Sequence, residues 1–519
     1  MKRHSSAHLP RKWRGAFLSV GIPLLLLAAM RSTIPAGHEN SQDCFYHVTM
    51  ADMGPGYFLA RTMPHMTLSL WSTAFSDKEA LFHVYLWGVR SVERAIGLAT
   101  GPPFMLDWLL LAIGLLLAFH WALRASGAKH PAVWTLALVV LSPTFTSRLL
   151  MLRPHVLGMT LAILSAALFT GIRGKRDLWR PLAMGWLFAW SYSNPHFVLV
   201  VAAAFALPHW RDNRRLALLI PLVAAAGILL GYTFHPQFPN TFLNWKVQCI
   251  DVVLASLRGS EDILVGSELR RGSITTLLSN SALAAICAAA VAAGLLGIRR
   301  RRLSIPGVPL CALALFWTAL VFVNPRAIEY ACPFVVLAAA ATLPSAARWL
   351  SRRTVRLHEW HVKAALALLL VCMGTFTTIS TRRALRTAQA RPFADFADWA
   401  LEAKLPFGTI VANVNWSDFP PLFYSAPQFR YLAGLDPMFA AAAAPERVAR
   451  LEAFRRGKLQ LTPPELATLV GTRLAFVSSR GWQLARDMDR QGFRIVYQGE
   501  DGWLFDLATL PARQHGQHR

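Results

Sequence analysis

Residues 173–215 read RGKRDLWRPLAMGWLFAWSYSNPHFVLVVAAAFALPHWRDNRR. Two apolar runs, 181–194 and 196–209, meet at Asn194-Pro195, and a basic cluster closes each outer end. A bilayer core of roughly 30 Å takes about 20 helical residues. Each run is therefore a short span, tilted or broken at the Asn-Pro step. Arg and Lys concentrate in cytoplasmic loops. RGKRDLWR and RDNRR then lie on the cytoplasmic side, and Asn194 with its neighbours faces outward.

The same alternation extends in both directions. Further apolar runs at 16–30, 104–123, 131–147, 155–172, 215–233, 276–297, 307–325, 328–346 and 362–380 bring the expected spans to eleven. Basic clusters recur at Lys2–Arg14, at 299–302 and at 348–356, each consistent with the cytoplasmic side. The outward segments are then 31–103, 148–154, the Asn194 region, 234–275, 324–327 and everything after about 381. The start, MKRHSSAHLPRKWRG followed by an apolar run to Met30, resembles a signal peptide. It lacks a clear small-x-small cleavage site and is read as an uncleaved first helix.

Composition agrees. The chain of 519 residues is 54% hydrophobic and only 16% charged. Too many runs lack a polar face for a large soluble protein with buried helices. The formal charge of +25 would suggest nucleic acid in a soluble protein, but here it follows the loops, and no nucleic-acid partner is expected. The six cysteines are scattered, with no pair spaced as a metal site.

Two segments break the pattern. Residues 80–99, ALFHVYLWGVRSVERAIGLA, place charges on one face and read as a helix lying at the interface. The last 135 residues hold the β-rich runs GTIVANV, RLAFVSS and FRIVYQ, with helical stretches near 444–456 and 464–470. The expected architecture is an α-helical polytopic membrane protein of about eleven spans with a small C-terminal external α/β domain. Residues 1–384, including the first external loop 31–103, form the transmembrane part. Residues 385–510 form the external domain, and 511–519 a disordered tail.

The outward segments carry the candidate chemistry. Asp43 and His47 in DCFYH are one helical turn apart, so both can face one cleft. Asp77 and Glu79 in DKEALFH cannot share a helical face that way, though a loop can bring them together; His83 follows. Asp52 and His65 read as solvated loop groups. Arg148, Arg153 and His155 lie in SRLLMLRPH, Asn194 and His196 in SYSNPH, His235 in HPQFPN, and Arg326 and Glu329 in NPRAIEY. Ionisable residues near a membrane core usually face a cavity and mark function. A carboxylate there can take a proton from a sugar hydroxyl or, as Asp43 with Glu79, hold a divalent metal such as Mg or Mn against a phosphate. The arginines can clamp a phosphate or pyrophosphate. Bland readings compete: Arg153-Pro154-His155 as a helix start with a snorkelling arginine, and Arg326 with Glu329 as a structural pair three residues apart.

These residues also carry a resemblance. QDCFYH resembles the D-x-Y-Y-H type stretch in the first external loop of the GT-C superfamily, membrane glycosyltransferases that use polyprenyl-phosphate-linked sugars. SDKEALFHVYL, RLLMLRPHVLGMTL, WSYSNPHF and RAIEYACPFVVLAA are similar to blocks of a bacterial GT-C-like group. So are WSDFPPLFY and YLAGLDPMF in the external domain, and the resemblance runs over residues 40–510. It implies a catalytic Asp in the first external loop, at Asp43 first and Asp77 second. It further implies a polyprenyl-phosphate-linked donor, a membrane lipid environment and an envelope acceptor, in a bacterial inner membrane with a cytoplasmic N-terminus and a periplasmic C-terminal domain. The chain departs at Cys44, where a small or prolyl residue is common, and it lacks a W-W-D-Y-G type block, so the acceptor stays open.

WSDFPPLFY also reads without a family: Asp418 caps a following turn and Pro420-Pro421 fixes the chain there. Gly434-Leu435-Asp436-Pro437 reads as a turn that starts a helix. The competing functional class is a transporter, flippase or non-catalytic assembly protein, which short broken spans would suit. Against transport, the polar groups gather on one side, and no internal repeat relates the two halves.

Overall fold

The computed structural model describes residues 11–98, 100–252, 254, 280–299, 306–351, 359–387 and 390–508. The expected tail 511–519 lies outside them. The chain divides into two compact units. One comprises residues 1–36, 101–232 and 268–389, and the other 37–100, 233–267 and 390–519. The long segment after the first helix thus groups with the C-terminal residues.

Among the described residues, each of the eleven expected spans falls largely on helix. Among the described residues, four helices are long and apolar enough to cross a membrane: Met105–Ala125, Arg214–Thr233, Pro325–Pro344 and Ala364–Thr387. A fifth crossing is available if the bent pair Pro131–Val140 and Pro143–Leu149 counts as one. The remaining positions carry shorter apolar helices, such as Pro154–Phe169 and Gly307–Val321. Eleven spans are therefore not reached by length and apolarity alone.

The helix Ile328–Ser351 is the axis of the first unit, and every residue from Ile328 to Ala340 is buried. It packs on Gly307–Val321, Ser281–Arg299, Pro131–Val140 and Pro154–Phe169. By contrast, only 11% of the most apolar stretch of Ala364–Thr387 is buried, which leaves an apolar surface suited to lipid tails. Trp179–Ser191 meets Arg214–Thr233 at glycines. A Cβ on Gly185 would lie 2.2 Å from the Ala224 carbonyl oxygen, and one on Gly227 would lie 2.1 Å from that of Leu182.

The bent pair turns by 96° at Leu141-Ser142. Ser142 takes an extended conformation, its hydroxyl accepts from Phe145 N at 3.3 Å, and Pro143 starts the new helix. Carbonyls released at such a break need donors, because hydrocarbon supplies none. Thr146 donates to the Val139 carbonyl at 2.6 Å, and Thr377, from the Glu359–Thr387 helix, to that of Val140 at 2.7 Å.

The second unit is built on a five-stranded sheet in the order β2-β1-β3-β5-β4, with β1 Ile410–Asn413, β2 Arg430–Tyr431, β3 Leu474–Ser478, β4 Arg494–Gln498 and β5 Gly502–Asp506. β2, β1 and β3 run parallel; β5 is antiparallel to β3 and to β4. Residues 65–68 extend the edge beside β2: Tyr431 N donates to His65 O at 2.7 Å and Leu68 N to Leu432 O at 2.7 Å. That covers an edge that would otherwise invite pairing. Helices Pro445–Arg455, Pro463–Val470 and Trp482–Arg490 contribute Val448, Leu466, Ala485 and Met488 to a core with Ala475 and Phe505. As expected, Asp436 starts the helix Pro437–Ala443, its Oδ1 accepting from Met438 N at 2.9 Å.

Asp418 does not cap the next turn. Asn415 caps the preceding turn, Trp416–Asp418, its Oδ1 accepting from Ser417 N at 3.3 Å. Asp418 is fully buried, and neither carboxylate oxygen has a hydrogen bond of good geometry. Burial pushes its pKa up to about 6, with Ser478 and Arg480 offsetting part of that rise. A folded-state value above the unfolded one, about 3.9, gives stability that is full below about pH 4 and lost as pH rises through 6. Asp418→Asn is expected to remove that loss, about 2–3 kcal/mol above pH 7. Thermal melting between about pH 4.5 and 7 reads it: the variant's Tm should fall less with pH, and identical slopes would reject the assignment.

Candidate functional site

Asp43 opens the helix Asp43–Met53 and is half-buried, while Cys44 to Ala51 are buried behind it. The expected helical turn between Asp43 and His47 is therefore present. Deeper in the same unit, Asp77, Glu79, His83 and His47 come together. His83 Nδ1 lies 2.6 Å from Asp77 Oδ2, and His83 Nε2 lies 2.9 Å from His47 Nδ1. His83 is 0% exposed, Asp77 2% and His47 5%, so the three form a buried chain. Asp77 sits in the loop before the helix Ala80–Ala95, and its Oδ1 accepts from Glu79 N at 3.1 Å. Gln237 Oε1 accepts from Asp77 N at 2.6 Å, and Gln237 Nε2 donates to the Phe58 carbonyl at 3.0 Å.

Aromatic rings wall the chain. Tyr46 stands edge-on to His47 and His83, with centroids 5.1 and 5.8 Å away, and Phe82 is T-shaped to His47 at 5.3 Å. Burial, with the charges of Asp77 and Glu79, pushes the Tyr46 phenol well up, so it stays neutral. Burial pushes His235 down, against the Asp77 charge. Lys78 Nζ lies 3.8 Å from Glu79 and 2.6 Å from Gln248 Oε1, in a π-helical turn Val247–Asp251.

Asp52 and His65 are not plain solvated groups. Arg90 grips Asp52 with two hydrogen bonds of 2.7 and 2.8 Å, and His65 Nε2 lies 2.9 Å from the Pro427 carbonyl. Among the described residues, no group of three or more His, Cys, Asp or Glu is placed to hold a metal ion.

The other unit gathers a second set. The Arg148 guanidinium donates to Glu329, which is 1% exposed, and Arg326 Nε lies 4.0 Å from the same carboxylate oxygen. Arg326 is held by the turn Pro325–Ala327, where Asn324 Oδ1 accepts its N–H at 2.9 Å, and its side chain is 29% exposed. Arg153 caps the helix Pro154–Phe169 in extended conformation. His155, in the first turn of that helix, places Nε2 3.0 Å from the Arg148 carbonyl. Its buried Nδ1 has no hydrogen-bond partner among the described residues. The charges of Glu329, Arg148, Arg153 and Arg326 all reach the His155 ring. Asn194 bonds Tyr192, and His196 opens the next helix with its ring against Phe197 at 4.9 Å.

Sequence reading missed the floor of this cluster. Trp317 stacks on Tyr330 at 4.7 Å, and Phe197 packs edge-on to Tyr330 at 4.9 Å. Gly158 lets Tyr192 and Tyr330 approach; a Cβ there would lie 3.0 Å from each. Tyr192 and Tyr330 flank residues that had been singled out, Asn194 and Glu329, and that adjacency was the available signal. Gln237 gave none.

No family model matches this chain, and no curated protein matches it. Solved structures do. The archaeal oligosaccharyltransferase AglB from Archaeoglobus fulgidus, in complex with an inhibitory peptide and a dolichol-phosphate, superposes with a TM-score of 0.56 at 12% identity, over 97% of this chain and 75% of that one. ArnT from Cupriavidus metallidurans, bound to undecaprenyl phosphate, gives 0.54 at 14% identity, over 97% and 99%. The arabinofuranosyltransferase AftD from Mycobacteria gives 0.54 at 15%, over 98% of this chain and 41% of that one. These likenesses show a fold, that of the GT-C membrane glycosyltransferases, as the first-loop and span blocks implied.

Proposed function

We propose that the protein is a membrane glycosyltransferase that moves a sugar from a polyprenyl-phosphate-linked donor to an envelope acceptor on the outer side of a bacterial inner membrane. The observation that carries this reading is the charge of the arginine cluster. Arg148 and Arg326 stand against one carboxylate, Glu329, and Arg153 adds a further positive charge beside His155, a set that suits a phosphate or pyrophosphate. A polyprenyl-phosphate leaving group needs charge stabilisation more than protonation, which guanidinium groups supply.

Asp43 is the base that takes the acceptor's proton. Asp77 is buried against His83 and acts through it. Arg326 is half-buried, with its side chain 29% exposed, and can meet a donor from solvent or lipid. Arg326→Gln is expected to raise the donor KM about 10-fold, the loss of one charge-assisted hydrogen bond, with kcat nearly kept. The assay is sugar transfer from a lipid-linked donor by the purified full chain in lipid nanodiscs. An unchanged KM would remove Arg326 from the donor site. The short helices either side of Asn194-Pro195 favour transport as the second reading. Movement of a lipid-linked sugar across vesicles without transfer would select it.

A further inference from the structure

Resting on that reading, we infer that Asp77, His83 and His47 form a buried proton relay behind Asp43, in which Asp77 and His83 are positioning residues that make His47 the acceptor of the proton Asp43 has taken. For a neutral His83 the bonding pattern assigns the proton positions. The Asp77 carboxylate accepts from His83 Nδ1 at 2.6 Å. His83 Nε2 is then the free lone pair and accepts from His47 Nδ1 at 2.9 Å. His47 Nε2 is left as the basic nitrogen, since a neutral imidazole carries one donor and one acceptor. Asp43 precedes His47 by four residues on one helix, a spacing that brings side chains to about 5–6 Å between Cβ atoms.

The step balances. The sugar C1–O bond to the donor phosphate breaks, and its electron pair leaves with the polyprenyl phosphate. The acceptor oxygen forms the new bond to C1 and releases its proton to Asp43. The proton passes to His47 Nε2 while the His47 Nδ1 proton moves to His83 Nε2. The positive charge then sits on His83 beside the Asp77 carboxylate; once product has left, the proton returns along the same path and leaves to solvent through the half-buried Asp43, which resets both histidines for the next turnover. A buried imidazolium is costly unless paired, and Asp77 pairs it.

The groups facing the relay are Tyr46, which stays neutral, Tyr57, Glu79, Lys78 and His235. Burial pushes the Tyr57 phenol up as well and His235 down, so across the neutral range Glu79 and Lys78 set the local charge. A merely structural Asp-His-His chain would also tie the loop at Asp77 to two helices, so the test needs a readout that packing does not move.

Transfer by wild type, Asp77→Asn, Asp77→Glu and His83→Gln protein is measured across pH, beside the proton spectrum of histidine-15N-labelled protein in nanodiscs. The relay requires kcat to fall about 10²-fold in Asp77→Asn and His83→Gln with donor KM unchanged. The acid limb of the kcat profile should move to lower pH in Asp77→Asn, and Asp77→Glu should restore both. It also requires a strongly downfield His83 Nδ1 proton in wild type that disappears in Asp77→Asn. Variants that keep kcat, or lose it with the acid limb in place, overturn the relay, as does a wild-type spectrum without the downfield proton. Wild-type protein that shows the proton but transfers no sugar from any lipid-linked donor overturns the glycosyltransferase reading instead.

Discussion

Asp43→Asn is expected to lower sugar transfer at least about 10²-fold with the fold intact, the lower range for a positioned acid–base group. Asparagine keeps the shape and removes both charge and basicity. Asp43 opens its helix, where a negative charge is worth about 0.3–1 kcal/mol against the helix dipole. Eight buried residues from Cys44 to Ala51 hold that helix in place, so so small a loss cannot unfold it. Transfer from a polyprenyl-phosphate-linked donor measures the effect, with circular dichroism as the control for folding. Unchanged turnover in both Asp43→Asn and Asp77→Asn proteins would falsify the assignment of chemistry to the first loop.

The largest effect on stability is expected from Arg148→Ala. It removes the principal partner of Glu329, a carboxylate 1% exposed on the central helix. Breaking a buried pair from one side costs about 3–5 kcal/mol, because a buried charge is left uncompensated. Arg326, at 4.0 Å from the same oxygen, can take up part of the load, so the lower half of that range applies. Replacing both partners, as Arg148→Met with Glu329→Leu, should recover most of the loss, since apolar packing in place of an ion pair is often neutral or better. Thermal melting of the two variants beside the wild type in one detergent decides the matter. A double variant no more stable than Arg148→Ala would show that the cost lies in packing, not in charge.

What the sequence made legible follows from the range of each interaction. Spans depend on local apolar length, and among the described residues all eleven expected positions carry helix. β1, β3 and β4 follow from compact β-rich runs. β2 escaped because it is two residues long, and β5, in GWLFD, because its pairing to β3 and β4 sets its state more than its own pattern does. The break at Ser142 lay within a continuous apolar run, where the Ser-Pro cap was the only mark. At the candidate sites, residue types were legible and partners were not. Arg148 and Glu329 are 181 positions apart, and Gln237 meets Asp77 from 160 positions away. Asp77 and His83 are close in sequence, yet their contact depends on the path of the loop at 77–79, which no periodicity encodes.

The break at Ser142 has a consequence for how the chain is made. The carbonyl of Val140 is satisfied by Thr377, 237 residues further along. At a synthesis rate of about 5–20 residues per second, the bent segment leaves the ribosome roughly 10–50 s before its hydroxyl donor exists. During that interval the exposed carbonyl needs another donor, from interfacial water or from the insertion machinery. The bend is therefore completed late, when the Glu359–Thr387 helix arrives. Nascent chains stalled before residue 377 should leave the 131–149 segment open to cysteine-directed labelling, and chains stalled well beyond it should not.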